Sequence, residues 1–190
     1  MSFYFDHNAT TPLSVAAREA WLKTGEKFWH NPSSLYPEAG AAARRLEDER
    51  ETLAQLLGID DHEESGIIFT SGATEANNST LAHFARANPS ACCVISSVEH
   101  PSVDVPANRH FDNRVLKVPV TPDGTISLPE LEKILAAKAP CIVSVMAANN
   151  ETGVIQPIAE VASLCREHKV IFHCDAVQWF GKHEAGPILA

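Results

Sequence analysis

The chain has 190 residues, enough for one domain or one large lobe, and its 45% content of hydrophobic residues suffices for a sizeable core. Its formal net charge of −9 argues against nucleic acid as a partner, because phosphate backbones repel an acidic protein. The sequence has no apolar run long enough to span a membrane and no secretory signal in its opening residues, MSFYFDHNATTP, which together predict a cytoplasmic protein.

Residues 1–60 are predicted to form an N-terminal helical segment. A short strand over 3–6 precedes a helix over about 13–28, and a longer helix over about 38–57 ends at Gly58. Apolar residues recur at helical spacing along the longer helix and predict one buried stripe, made of Ala39, Ala43, Leu46, Leu53 and Leu57.

Residues 61–190 have a different rhythm, in which apolar runs alternate with helical patterns such as that of 157–168. This alternation indicates βαβ units and an α/β fold, with a largely parallel sheet that carries helices on both faces. The predicted strands cover 67–70, 92–97, 114–118, 141–145 and 170–174.

The residues that follow each strand form the candidate site, because ligands of open α/β sheets bind beyond the carboxyl ends of the strands. SGATEANN follows the first strand, where Gly72 permits a tight turn and the start of a helix at Ala73 and Thr74 suits a phosphate. The same pattern is also typical of a plain strand–turn–helix connection, in which Ser71 or Thr74 caps the helix and Glu75 offsets its dipole.

Polar residues also follow three later strands. His100, in VEHPS, can stack on a planar ligand or move protons near neutral pH, although a lone histidine is often structural. Asn149 and Asn150, in MAANNETGV, offer amide donors and acceptors or form a turn. Asp175, in VIFHCDAVQ, precedes Gln178 and can hold the cationic ring nitrogen of pyridoxal phosphate, or can cap the next helix.

Each of these signals is weak alone, but together they describe a pyridoxal phosphate pocket better than a nucleotide pocket. The sequence contains neither GxGxxG nor GxxxxGK[ST]. With those residues in view, the chain resembles the cysteine desulfurases of the class V aminotransferase family along nearly all of its length. The blocks that carry the resemblance are YFDHNATTP, NPSS followed by Gly40 and Arg44, IFTSGATEANN, VEHPSV, NNETGVIQPI and FHCDAVQWFGK.

The resemblance implies a partial large domain of the fold-type I, pyridoxal phosphate-dependent transferase fold. The family removes sulfur from L-cysteine, which leaves L-alanine and an enzyme-bound persulfide, and the sulfur passes to acceptor proteins for iron–sulfur clusters or thio-cofactors. Full-length members are usually homodimers. Another class V enzyme, a selenocysteine lyase or an aminotransferase, and a non-catalytic binding or assembly half remain alternatives.

The resemblance also implies which residues hold the cofactor phosphate and act on the ring face. Ala73 and Thr74 would bind the phosphate of pyridoxal phosphate. His100 would stack on the ring and take part in proton transfer, which makes it the candidate catalytic residue.

At the polar edge of the ring, Asn150 and Gln178 would contact the region of the phenolic oxygen, and Asp175 would pair with the pyridine nitrogen. The family's Schiff-base lysine belongs to a later Ser-x-His-Lys block, and this sequence ends at Ala190 before such a block occurs. Lys182 corresponds to a different family lysine, in FGK.

None of the five cysteines matches the family's sulfur-accepting cysteine, and their spacing fits no zinc site. We interpret all five as reduced, mostly buried small hydrophobic residues. The sequence therefore predicts the N-terminal portion of a cysteine desulfurase, without the small domain, that is inactive in isolation.

Overall fold

The computed structural model describes residues 3–59 and 66–183. Contacts divide the chain into two compact units, Met1–Ile68 and Phe69–Ala190. The domain boundary predicted between residues 60 and 61 lies outside the described residues. No helix in the described ranges is both long enough and apolar enough to cross a membrane.

The first unit contains two helices, α1 (Val15–Lys27) and α2 (Pro37–Leu57). α1 begins after Ser14, whose hydroxyl accepts a hydrogen bond from the Ala17 N–H at 3.1 Å. α2 ends at Gly58 as predicted, with a φ of 68° that glycine adopts without a steric penalty.

One sequence prediction for this unit is wrong, and another holds only in part. The strand over 3–6 does not form, because no other strand of the described unit can pair with it; the Asp6 carbonyl instead accepts a hydrogen bond from the Ala9 N–H in a turn. The stripe along α2 is buried only in part: Ala39 is buried, Leu46 is exposed, and the other three predicted residues, Ala43, Leu53 and Leu57, are half-buried. Periodicity identifies the apolar face of a helix but not whether another element covers it.

The second unit is built on a four-stranded, wholly parallel sheet with the order β2-β1-β3-β4. The prediction of an α/β fold is confirmed. The strands are β1 (Cys93–Ser96), β2 (Val115–Val118), β3 (Ile142–Ser144) and β4 (Ile171–His173). The helices are α3 (Ala73–Ala87), α4 (Pro101–Phe111), α5 (Leu128–Ala137) and α6 (Ile158–Glu167), with a single 3₁₀ turn at Asp112–Arg114.

The first of the five predicted strands, 67–70, is absent. Ile68 and Phe69 are 84% and 48% exposed, and no described strand lies beside them to complete a ladder of hydrogen bonds. A β-strand needs a partner, which an apolar run alone does not supply.

Helices cover both faces of the sheet, as predicted. Successive residues of a strand point to opposite faces. Val94 therefore packs with Leu131 of α5, in a core that also includes α6. Its neighbour Ile95 packs with Leu81 of α3 and Val103 of α4, in a separate core on the other face.

The chain changes direction across the sheet between β1 and β3. From β1 it crosses through α4 to β2 on one side, and from β3 it crosses through α6 to β4 on the other. α4 and α6 lie on opposite faces, so the loops after β1 and β3 diverge. Such a topological switch point opens a crevice at the carboxyl ends of the strands, where α/β proteins bind their ligands.

Candidate functional site

Glu99 joins the ends of β1 and β3 at this crevice. Its Oε1 accepts hydrogen bonds from Ser96 Oγ at 2.5 Å and from the Met146 N–H at 2.9 Å. Its Oε2 is buried without a hydrogen-bond partner among the described residues. Burial, reinforced by the neighbouring charges of Asp175 and Asp104, raises the pKa of Glu99 to about 7. Sequence reasoning missed Glu99, because its burial follows only from the packing of two strand ends.

Asp175 lies buried immediately past β4, with both carboxylate oxygens engaged. Oδ2 accepts a hydrogen bond from Asn77 Nδ2 at 2.9 Å, and Oδ1 accepts one from the Val177 N–H at 3.1 Å. The backbone carbonyl of Asp175 accepts from the Ala147 N–H at 2.9 Å, which fixes it to the loop after β3. A turn rather than a helix follows, so the alternative of a helix cap is wrong for Asp175.

His100 is the N-cap of α4 and also presents its ring to solvent. Nδ1 accepts a hydrogen bond from the Ser102 N–H at 3.1 Å and lies 2.8 Å from Ser102 Oγ. Nε2 makes no hydrogen bond to the part of the chain that the structure describes. The structural interpretation of this histidine is therefore confirmed at Nδ1, while its role toward a ligand stays a prediction.

Asn77 connects Asp175 to His100 by way of Ser102. Its Nδ2 donates to Asp175 Oδ2 at 2.9 Å and to Ser102 Oγ at 3.0 Å. Asn77 and Ser102 are 3% and 8% exposed, so this hydrogen-bonded chain runs through the interior. Sequence reasoning missed both residues; the only available signal was that Asn77 lies one turn after Thr74 on the same side of α3.

α3 begins with the predicted phosphate-binding residues. Ala73 is its first residue, Thr74 is exposed, and no side chain caps this helix end. The cap predicted at Ser71 or Thr74 is therefore wrong. Instead Glu75 accepts hydrogen bonds from the Ser71 N–H at 2.8 Å and Ser71 Oγ at 2.6 Å, which lower the pKa of Glu75.

Asn149 organises the loop after β3. Its Nδ2 donates to the Val98 carbonyl at 3.1 Å, and its Oδ1 accepts from the N–H groups of Glu151 and Thr152, both at 2.9 Å. This asparagine is buried and shapes the turn, as one of the two sequence interpretations proposed. Asn150 lies next to it on the same loop and is half-buried.

Gln178 lies half-buried in the turn after Asp175. Its Oε1 accepts a hydrogen bond from Lys182 Nζ at 2.5 Å, and Lys182 itself is exposed. The hydrogen bonds described above thus connect His100 and Asp175 through Ser102 and Asn77. Ala73 and Thr74 share a helix with Asn77, while Asn150 and Gln178 are placed by the loops after β3 and β4.

Three cysteine thiols of the second unit, those of Cys93, Cys165 and Cys174, are poor nucleophiles. Burial raises the pKa of Cys93 to about 12 and that of Cys165 to about 11. Burial also raises the pKa of Cys174 to about 12, with a further contribution from the charges of Glu99 and Asp175. Because the thiolate is the reactive form, these side chains are suited to packing rather than to carrying sulfur.

The sequence of the chain matches a known protein family. Residues 3–186 match the family model described as Aminotransferase class-V, and the chain belongs to that family. The class V aminotransferases and the cysteine desulfurases among them depend on pyridoxal phosphate.

Within this family, the chain is similar to curated cysteine desulfurases and to solved structures of related proteins. The curated cysteine desulfurase IscS of Rickettsia felis is 38% identical over 188 residues, which cover 96% of this chain and 45% of that protein. A NifS-like protein from Rickettsia africae ESF-5 superposes with a TM-score of 0.85 at 31% identity, over 96% of this chain and 50% of that one. SspA, solved in complex with cysteine, superposes with a TM-score of 0.83 at 27% identity, over 99% and 55%. The chain thus spans about half the length of the relatives it matches.

Proposed function

We propose that this chain is the cofactor-binding N-terminal portion of a pyridoxal phosphate-dependent cysteine desulfurase. The observation that carries the proposal is Asp175, a buried carboxylate oriented by two donors at the mouth of a parallel sheet and linked to an exposed histidine, His100. The similarity to IscS over 96% of the chain supports the assignment of the reaction.

The electrostatics of the crevice fit the two charged ends of pyridoxal phosphate. The start of α3 supplies backbone N–H groups, a helix dipole and the Thr74 hydroxyl for the phosphate. At the other end, the carboxylate of Asp175 pairs with the protonated pyridine nitrogen. The cofactor, when bound, supplies an electron sink for the reacting carbon of the substrate.

The remaining site residues orient the ring and handle protons. His100 stacks against the ring and carries a proton at Nε2, the nitrogen that faces away from Ser102. Asn150 and Gln178 contact the region of the phenolic oxygen, where the Gln178 side-chain amide nitrogen donates the hydrogen bond.

The substrate in this proposal is L-cysteine, and the products are L-alanine and a persulfide whose sulfur passes to acceptor proteins for iron–sulfur clusters or thio-cofactors. The full-length protein acts as a homodimer in the cytoplasm. The 190 residues alone are inactive, because the family's Schiff-base lysine and sulfur-accepting cysteine have no counterpart in them.

A chimera tests this function. The chain replaces the matching N-terminal region of Rickettsia felis IscS, and alanine formation from L-cysteine is measured. The chimera should form alanine, whereas the chain alone and a chimera that carries Asp175→Ala should not. A folded chimera that binds pyridoxal phosphate but releases no alanine would contradict the proposal and favour another class V reaction.

A further inference from the structure

The hydrogen bonds around Asn77 have a fixed direction. Asp175 Oδ2, as a carboxylate oxygen, only accepts, so the Asn77 side chain must turn its nitrogen rather than its oxygen toward it. The same nitrogen donates its second hydrogen to Ser102 Oγ at 3.0 Å. Both hydrogens of the amide are thereby used, and a flipped amide would place two acceptor oxygens against each other.

The direction continues from Ser102 to His100. The Ser102 hydroxyl accepts from Asn77, and its oxygen lies 2.8 Å from His100 Nδ1. The Ser102 N–H donates to the same ring nitrogen at 3.1 Å. This backbone donor requires Nδ1 to be an acceptor, so the neutral ring carries its proton on Nε2, and the Ser102 hydroxyl can then only donate to Nδ1.

Because the connecting residues are buried, the loss of any one of these hydrogen bonds is costly. Asn77, Ser102 and Asp175 are 3%, 8% and 8% exposed, so water cannot replace a lost partner at low cost. His100, by contrast, is exposed, and its Nε2 makes no hydrogen bond to the described residues. A proton on Nδ1 would face the Ser102 N–H, a backbone donor that cannot rotate away.

We propose that Asn77 is a positioning residue that, through Ser102, couples the carboxylate of Asp175 to the tautomer of His100 and holds its Nε2–H toward the crevice. The neutral ring of His100 therefore acts as a hydrogen-bond donor from Nε2 and as an acceptor at Nδ1. The use of that donor in catalysis rests on the proposed function, whereas the tautomer itself rests on the chain alone.

Nitrogen-15 NMR of the histidine rings tests the coupling without any cofactor. The chain has nine histidines, so the His100 signals are assigned by their loss in His100→Gln. In mildly alkaline buffer, wild-type His100 should show a protonated Nε2 and an acceptor Nδ1. A wild-type ring that carries its proton on Nδ1 overturns the proposal whatever the variants do.

Two variants on different helices break the coupling. In Asn77→Ala the Ser102 hydroxyl is no longer held as a donor, and in Ser102→Ala it is absent, so each should raise the ratio of Nδ1–H to Nε2–H about fivefold. Asn108→Ala is the matched control, because Asn108 is an exposed residue of α4 that donates only to the Asp104 carbonyl at 2.7 Å. Folded Asn77→Ala and Ser102→Ala proteins with a wild-type ratio would show that Asn77 only packs.

A titration with pyridoxal phosphate separates the two proposals. Binding by the wild-type chain with an unaltered tautomer ratio in Asn77→Ala would leave the proposed function standing and refute the coupling. If the tautomer ratio changes as expected but the wild-type chain binds no pyridoxal phosphate, the coupling stands and the proposed function is refuted.

Discussion

Buried polar side chains at the ends of β1, β3 and β4 hold the candidate site together. Strand-end position was enough to identify His100 and Asp175 from the sequence. Asn77 and Ser102 could not be identified in that way. Asn77 bonds to a residue 98 positions away, and no periodicity in the sequence encodes a contact between two helices and a loop. Side-chain networks of this kind follow from tertiary packing alone.

Glu99 makes the stability of the chain depend on pH. Its pKa of about 7 lies above the ordinary value of 4.5, so its favourable contribution is complete below pH 4.5 and is lost as the pH rises through 7. Glu99→Gln keeps the acceptor oxygen for Ser96 and Met146 but cannot ionise. Relative to wild type, it should gain about 2 kcal/mol of unfolding free energy between about pH 5 and pH 8.

Urea unfolding at both pH values measures this difference. Glu132→Gln, at an exposed position of α5, is the control and should show no such change. An equal offset between wild type and Glu99→Gln at the two pH values would mean that Glu99 is ionised throughout.

At the scale of elements, apolar runs and helical patterns were sufficient to place four of the strands, the helices α1, α2 and α6, and the start of α3. They failed where a partner decides the outcome. Residues 67–70 have the composition of a strand but lack a described neighbour, and Leu46 lies on the apolar face of α2 yet remains exposed. Periodicity is a local property, while pairing and burial depend on distant parts of the chain.

The loop after β3 depends on Asn149 for its shape, because one side chain accepts two backbone N–H groups and donates to the Val98 carbonyl. Asn149→Ala should therefore lower the unfolding free energy by about 2 kcal/mol, since it removes three hydrogen bonds that shape the loop. Thermal or urea unfolding measures the loss. Asn88→Ala, which removes only the hydrogen bond to the Phe84 carbonyl at 3.2 Å, should cost less than half as much. Equal losses in the two variants would refute the special role of Asn149.

At the scale of the whole molecule, the first unit exposes a large apolar surface. α1 has no buried residue, and Trp21, Leu22 and Trp29 are 70%, 54% and 72% exposed. Monomeric proteins rarely expose so many large apolar side chains close together in sequence. The chain also spans only about half of the length of the relatives it matches.

The isolated chain should consequently self-associate and bind a hydrophobic dye such as ANS. Trp21→Gln should reduce both effects, whereas Lys23→Gln, at an exposed position on the same helix, should not. Analytical ultracentrifugation together with dye fluorescence measures them. A chain that stays monomeric and does not increase the fluorescence of the dye would contradict the expectation that this surface causes self-association.

The central claim is that Asp175 holds the ring nitrogen of pyridoxal phosphate at the sheet edge, and the affinity of the chain for that cofactor tests it most directly. Asp175→Asn keeps the side-chain shape but removes the charge, so it should weaken binding at least about tenfold. Asp123→Asn, at an exposed turn bonded to Thr121 and Thr125, should bind as wild type. Equal affinities of wild type and Asp175→Asn, measured by fluorescence titration or equilibrium dialysis, would contradict the account.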